Sequence, residues 1–228
     1  MRLKIIKPWL LSKLSRPSIL SGCLGMVVWL LLAAGTTGKA EEIHAAAQDG
    51  DLPKVKLLIQ AQPSLVSNPG PFGATPLHLA AAFGYPDMVQ FLVANQADME
   101  AKTAGGKTPL HWATAEGRTN IVQFLLAHKA QVNARDKDGN TPLHDAALNG
   151  RKEVVALLLQ SSAEVNIHDA SGWTPLHFAV VANDREAVDL LLRHQADINA
   201  KGFLDYTPLQ YAHDVKMADW LRQHGAVE

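Results

Sequence analysis

Apolar residues recur in fours along most of this chain: Met88, Val89, Phe91, Leu92; Ile121, Val122, Phe124, Leu125; Val154, Val155, Leu157, Leu158; Ala187, Val188, Leu190, Leu191. The i, i+1, i+3, i+4 spacing lines each set along one stripe of a helix, with polar residues filling the other side. A shorter helix is predicted ahead of each stripe. Between Thr141 and Gly150, Leu143, Ala146 and Ala147 give it a small apolar face. Thr141 suits the N-cap, and Pro142 at the first helical position loses no needed N–H. Gly150 can take the positive φ that stops the helix. Arg151-Lys152-Glu153 then open the second helix. Beyond it, Ala163-Glu164-Val165-Asn166 leads to an extended hairpin tipped by Asp169-Ala170-Ser171-Gly172.

A single short helix of this kind is not stable in water. What stabilises it is shown by the recurrence of its first four residues. Thr75-Pro76-Leu77-His78, Thr108-Pro109-Leu110-His111, Thr141-Pro142-Leu143-His144, Thr174-Pro175-Leu176-His177 and Thr207-Pro208-Leu209-Gln210 start at strictly equal intervals. A fixed period means an array in which each two-helix unit buries its stripe against its neighbours.

The period and the T-P-L-H-x-A signature resemble the ankyrin repeat family over roughly residues 41–228. The resemblance implies an all-α repeat solenoid of about six helix-turn-helix repeats with hairpin tips, starting near residues 41, 75, 108, 141, 174 and 207. Four complete repeats stand between two irregular caps. Glu41-Glu42-Ile43-His44-Ala45-Ala46 aligns as a first repeat without Thr-Pro and with one extra residue in 63–71, and the last unit is three residues short between its helices. The glycine stops run Gly84, Gly117, Gly150, then Asn183. The family's glycine after the second helix is replaced by Gln96, Lys129, Ser162 and Gln195, and kept only at Gly225. The sequence does not show how those four turns adapt.

Residues 1–40 differ from the rest. They hold six basic residues and no Asp or Glu, and an apolar run from Ile19 to Ala34 broken only by Ser21, Gly22 and Gly25. A basic start, an apolar middle and the small residues Gly38 and Ala40 have the layout of a secretory signal peptide cleaved before Glu41. The alternative is an uncleaved anchor, for which the run from Ile19 to Ala34 falls just short of the usual span. Either way the repeats lie outside: periplasmic or secreted after cleavage, or on a single-pass inner-membrane protein. Leu20-Ser21-Gly22-Cys23 looks like a lipobox, but most of the apolar run follows Cys23 instead of preceding it.

Removing residues 1–40 takes 21 basic against 22 acidic residues to 15 against 22, a charge of −7. This argues against nucleic acid as a partner. Cys23 is the only cysteine, so the repeats have no disulfide, thiol nucleophile or thiolate ligand. His78, His111, His144 and His177 are one per repeat. At the roughly 8–10 Å pitch of packed helices they cannot converge on a metal whose ligands stand at about 2 Å. The family resemblance implies a structural role instead, each imidazole bonding the Thr hydroxyl and nearby backbone. Asp136-Lys137-Asp138-Gly139 starts like a calcium loop but lacks the later ligands, so it reads as a turn. No G-x-S-x-G, Walker or H-E-x-x-H pattern occurs. The expectation is no enzyme, no metal and no cofactor.

In the ankyrin family, partners contact hairpin tips and exposed first-helix positions on the concave side. Carried over, this gives Phe72, Ala74, Lys102 and Lys107, then Arg135, Lys137, Asp138 and Asn140. His168, Ser171 and Trp173 follow, then Lys201, Phe203, Leu204 and Tyr206, with Phe83, Glu116 and Asn149 at helix ends. Trp173, Phe203, Leu204 and Tyr206 suggest aromatic and apolar anchors on two adjacent tips, unless the rings pack on one another or on the short last repeat. Trp112, Phe178 and Tyr211 share a slot four residues after Thr, filled elsewhere by Leu79 and Asp145; both a core and a contact role stay open. The function expected is a monomeric exported module capturing one protein partner. The alternative is a scaffold tethered to the membrane through residues 19–34.

Overall fold

Every first helix from residue 75 onward is started by the same device. The Thr side chain accepts the backbone N–H of the residue three further on, and that residue's side chain accepts the Thr backbone N–H. His78 Nδ1 receives Thr75 N–H at 3.1 Å, and His111, His144 and His177 repeat the contact at 3.0–3.1 Å. In the last repeat Gln210 Oε1 substitutes, 2.8 Å from Thr207 N. Two orphan donors are satisfied at each helix start, with proline supplying the third position that needs none.

The computed structural model describes residues 38–227. The leader at 1–37, with the signal, lipobox and anchor readings that rest on it, lies outside the described residues. The described chain forms twelve α-helices in six pairs. They are α1 Lys39–Asp49 with α2 Leu52–Ala61, α3 Pro76–Phe83 with α4 Pro86–Ala94, and α5 Pro109–Ala115 with α6 Thr119–Ala127. The array continues with α7 Pro142–Leu148 and α8 Lys152–Gln160, α9 Pro175–Val181 and α10 Arg185–Arg193, and α11 Pro208–Tyr211 and α12 Val215–Gln223. The described residues contain no β-strand. Helix α1 starts at Lys39, so cleavage before Glu41 falls inside its first turn.

The odd-numbered helices pack in file, each against the next, and the even-numbered helices form a second layer behind them. The core lies between the layers. Met88, Val89 and Leu92 are buried, as are Ile121, Val122 and Leu125 and their counterparts in α8 and α10. The third stripe member, Phe91, Phe124, Leu157 or Leu190, is only half-buried, because it sits at the edge of the face turned to the inner layer. Three equivalent asparagines tie successive pairs together. Asn133 Oδ1 accepts Glu164 N–H, Asn166 Oδ1 accepts Asp197 N–H, and Asn199 Oδ1 accepts Val227 N–H, all at 2.8–2.9 Å.

The four turns that lack glycine keep glycine's conformation. Gln96, Lys129, Ser162 and Gln195 have φ of 67°, 68°, 64° and 67°. Each is the residue after a helix C-cap, where a left-handed residue lets the chain close onto the last carbonyls. Ala97, Ala130, Ala163 and Ala196 then donate back to Leu92, Leu125, Leu158 and Leu191 at 2.9–3.0 Å. The turn geometry is imposed by the packing on either side, and the side chains are exposed enough to tolerate it.

Candidate functional site

The hairpins between repeats form a row, and the two ends of that row are built differently from the middle. In the three middle hairpins the first turn residue carries an acceptor. Asp136 Oδ1 takes the N–H groups of Asp138 and Asn140, Asp169 Oδ1 those of Ser171 and Trp173, and Thr103 Oγ1 that of Lys107. The terminal hairpins have Gly70 and Gly202 there. Added Cβ atoms would lie 2.6 Å from the His44 ring and 2.8 Å from the His177 ring. With no side-chain acceptor to hold the turn, the third residue flips to the left-handed region: Phe72 at φ 56° and Leu204 at φ 58°. These are large side chains in a conformation that costs an L-residue about 1–2 kcal/mol. Both are exposed, Phe72 at 64 % and Leu204 at 63 %. Phe203 beside Leu204 is exposed as well.

Backbone hydrogen bonds knit the row. Ala104 N–H donates to Phe72 O at 2.6 Å, Lys137 N–H to Gly105 O and Ala170 N–H to Asp138 O at 2.9 Å. Arg135 is exposed, and its guanidinium reaches the His168 carbonyl at 2.6 Å. Ser171 and Asn140 are half-buried in the turns.

Four of the expected contact residues are core. Trp173 is 1 % exposed, and Trp112, Phe178 and Tyr211 are also buried. Trp173 lies 4.6 Å from the Tyr211 ring and 5.1 Å from Phe178, and it stacks on His177 at 5.8 Å. Tyr206 is half-buried and packs on Tyr211 at 5.8 Å. Trp112 meets His78 edge-on at 5.4 Å, and Phe178 meets His144 at 5.5 Å. Tyr211 donates its hydroxyl to Phe203 O at 2.8 Å, and burial pushes its phenol up to about 12. The rings therefore pack on one another and on the short last repeat. Ala74 is likewise fully buried. The physical reason is one of position. The fifth hairpin residue, which immediately precedes Thr, points back between inner helices, while exposed side chains come from earlier positions of the tip, such as Phe72, Phe203 and Leu204.

Lys107 is also not a free contact. Its Nζ lies 2.6 Å and 2.8 Å from the Asp145 carboxylate oxygens and 3.6 Å from Asp136 Oδ2, with 16 % of the side chain exposed. Burial alone would lower its pKa; Asp145 and Asp136 outweigh that and raise it. The sequence does not disclose this triad, although Asp145 stands where other repeats place an aromatic ring, and that exchange is the available signal. Among the described residues no group of three or more His, Cys, Asp or Glu side chains converges as metal ligands. No described helix is long and apolar enough to cross a membrane.

Helix pairs stacked in file and joined by tight hairpins define a helical-repeat solenoid. The chain belongs to the ankyrin repeat family: the model for ankyrin repeats (3 copies) matches residues 43–136, 82–169, 128–202 and 163–227. It is similar to the regulatory protein NPR5 of Arabidopsis thaliana, 42% identical over 65 residues, which is 28% of this chain and 13% of that protein. It is similar to the E3 ubiquitin-protein ligase XBAT33 of the same plant, 35% identical over 74 residues, 32% of this chain and 14% of the relative. The matched segment thus spans about one seventh of each of these relatives. Ankyrin repeats are protein–protein interaction modules and generally not catalytic.

Proposed function

We propose that this protein is an exported, non-catalytic module that captures a protein partner along its hairpin row. The observation that carries the reading is the pair Phe72 and Leu204: exposed apolar side chains held in left-handed backbone at the two ends of the row. Strain of this kind persists where the surroundings enforce it, and it points to function when it presents a side chain that contributes nothing to the core. The export half rests on the basic start and the apolar run within residues 1–40.

The test is capture from the exported compartment with wild type and with Phe72→Ser/Leu204→Ser, read by mass spectrometry. A protein retained by the first and lost by the second, at unchanged melting temperature, supports the reading. Equal retention by both, or none by either, would remove it. An intact mass beginning at Glu41 supports release; a mass that includes residues 19–34 supports the tethered form.

A further inference from the structure

We infer that the hairpin row carries a cationic track that receives an extended, acidic segment of the partner, with carboxylates at every third residue. This rests on the protein-binding reading above and names the chemistry of what is bound. Lys102, Arg135, His168 and Lys201 occupy the same place in four successive hairpins, one repeat apart, immediately before the first turn residue; Lys102, Arg135 and Lys201 supply the charge and His168 an imidazole that can hydrogen-bond a carboxylate. All four are exposed. The side chains lie along the row: Lys102 Nζ donates to Arg135 O at 3.1 Å, and an Arg135 guanidinium nitrogen donates to His168 O at 2.6 Å. Each of these two cations is thereby laid toward the next rung.

The charge of this track is not neutralised from within. The cations in ion pairs among the described residues are Lys107, Lys152, Arg193 and Arg222, and none belongs to the track. The nearest hairpin carboxylates, Asp136 and Asp169, are buried and occupied by backbone N–H groups of their own turns. Asp138 is half-buried, and Asp205 is exposed at the far tip. Basic side chains in file are unexpected here, since the repeats as a whole carry an excess of acidic residues, 22 against 15 from residue 41 onward. That excess also selects the partner class. A long polyanion or an anionic membrane meets the repulsion of the whole domain, while a short segment meets only the local track.

The pitch sets the spacing. Neighbouring packed helices stand about 8–10 Å apart, and an extended polyproline II chain rises about 3.1 Å per residue and presents every third side chain on the same face. A carboxylate every third residue therefore matches one rung per repeat. Phe72 and Leu204 at the ends of the same row offer apolar contact beyond the charged stretch.

The probe is a fluorescein-labelled Ser/Thr peptide with four glutamates at every third position, titrated into the full chain and read by anisotropy. The control has the same composition with the glutamates consecutive. The spaced peptide is expected to bind several-fold tighter than the control and to weaken steeply between about 50 and 300 mM salt. Lys102→Glu/Arg135→Glu is expected to lose about tenfold in affinity at an unchanged melting temperature, and Lys102→Gln/Arg135→Gln a smaller factor. Equal binding of the two peptides, no binding, or indifference to charge reversal overturns the inference. So does tighter binding to phosphatidylserine vesicles than to the spaced peptide. If partner capture depends on Phe72 and Leu204 yet survives charge reversal, protein binding stands and the acidic segment falls. If the spaced peptide binds and no partner is captured, the track stands and the protein-binding reading falls.

Discussion

Lys107 Nζ lies 2.6 Å from Asp145 Oδ2, 38 residues further along the chain. Trp173 and Tyr211 have the same separation and meet ring to ring at 4.6 Å. The residue before one Thr thus faces the slot four residues after the next Thr. That relation is filled by opposite charges in one repeat and by aromatic rings in another. Removing one member of the ion pair leaves a carboxylate with little water. Lys107→Met should cost about 2–3 kcal/mol, less than for a fully buried pair because the lysine keeps some exposure. The double variant Lys107→Met/Asp145→Leu should recover most of the loss. Urea unfolding midpoints of the two singles and the double decide the matter; additive losses would mean that the pair does not act as a unit.

The histidine ladder makes stability depend on pH in a definite direction. His78 Nε2–H donates to Lys107 O at 3.0 Å and His111 Nε2–H to Asn140 O at 3.2 Å, while both Nδ1 atoms accept Thr N–H groups. A proton on Nδ1 would face those N–H groups. Burial lowers His78 from 6.5 to about 4, and burial followed by the Lys107 charge lowers His111 to about 3. Between pH 6.5 and those values the unfolded chain binds the extra protons. Stability is therefore full above pH 6.5 and falls as pH drops, by about 1.4 kcal/mol per pH unit per histidine. Melting scans from pH 7.5 to 5 stay above the carboxylate range and should show the decline. His78→Gln should remove about 1.4 kcal/mol per pH unit of the slope and leave the His111 share; Gln210 already performs the same capping in the last repeat. An unchanged slope in His78→Gln would assign the acid sensitivity elsewhere.

Trp173→Ala should destabilise by about 3–5 kcal/mol, because it empties a site shared by Phe178, His177 and Tyr211. Trp112→Ala should fall in the same range. Thermal unfolding is the measurement. A change of a degree or less in Trp173→Ala would put the ring at the surface after all.

These rings mark the boundary of what the sequence discloses. The equal intervals from Thr75 to Thr207, the Thr-Pro starts and the apolar stripes identify repeats, helices and core, since each is a local pattern with a local cause. Whether a hairpin ring points out or in is not local. Trp173 turns inward because Tyr211 and Phe178, on two later helices, provide its walls. Phe72 and Leu204 turn outward because glycine precedes them by two residues and no side-chain acceptor holds the turn. The glycines are visible in the sequence; their effect on the third residue is not, because it depends on the close approach of His44 and His177.

The left-handed turns after the second helices are open to repair. Lys129 is exposed with φ 68°, and Gln96, Ser162 and Gln195 match it. Glycine at such a site relieves about 1–2 kcal/mol of steric cost and returns roughly 0.5–1 kcal/mol through the looser unfolded chain. Lys129→Gly should therefore gain a few tenths of a kcal/mol to about 1. The four changes together should raise the melting temperature by several degrees, since neighbouring repeats share the benefit. A fall in melting temperature would show that these side chains make contacts worth more than the strain.

The same substitution at the hairpin tips should separate stability from binding. Phe72 and Leu204 are left-handed like Lys129, yet their side chains are large, apolar and exposed. Replacing either by glycine removes the steric cost and sacrifices little buried area, so Phe72→Gly and Leu204→Gly should each gain roughly 0.5 kcal/mol. Ser171 holds the equivalent place in a middle hairpin without positive φ, so Ser171→Gly should lose a similar amount through the unfolded chain. If the tips exist to bind, the two stabilising changes should weaken partner capture while Ser171→Gly leaves it intact. That opposition is expected where a strained residue is retained for contact and not for the fold. Stabilisation with undiminished capture would make Phe72 and Leu204 incidental, and the binding surface would have to lie elsewhere on the array.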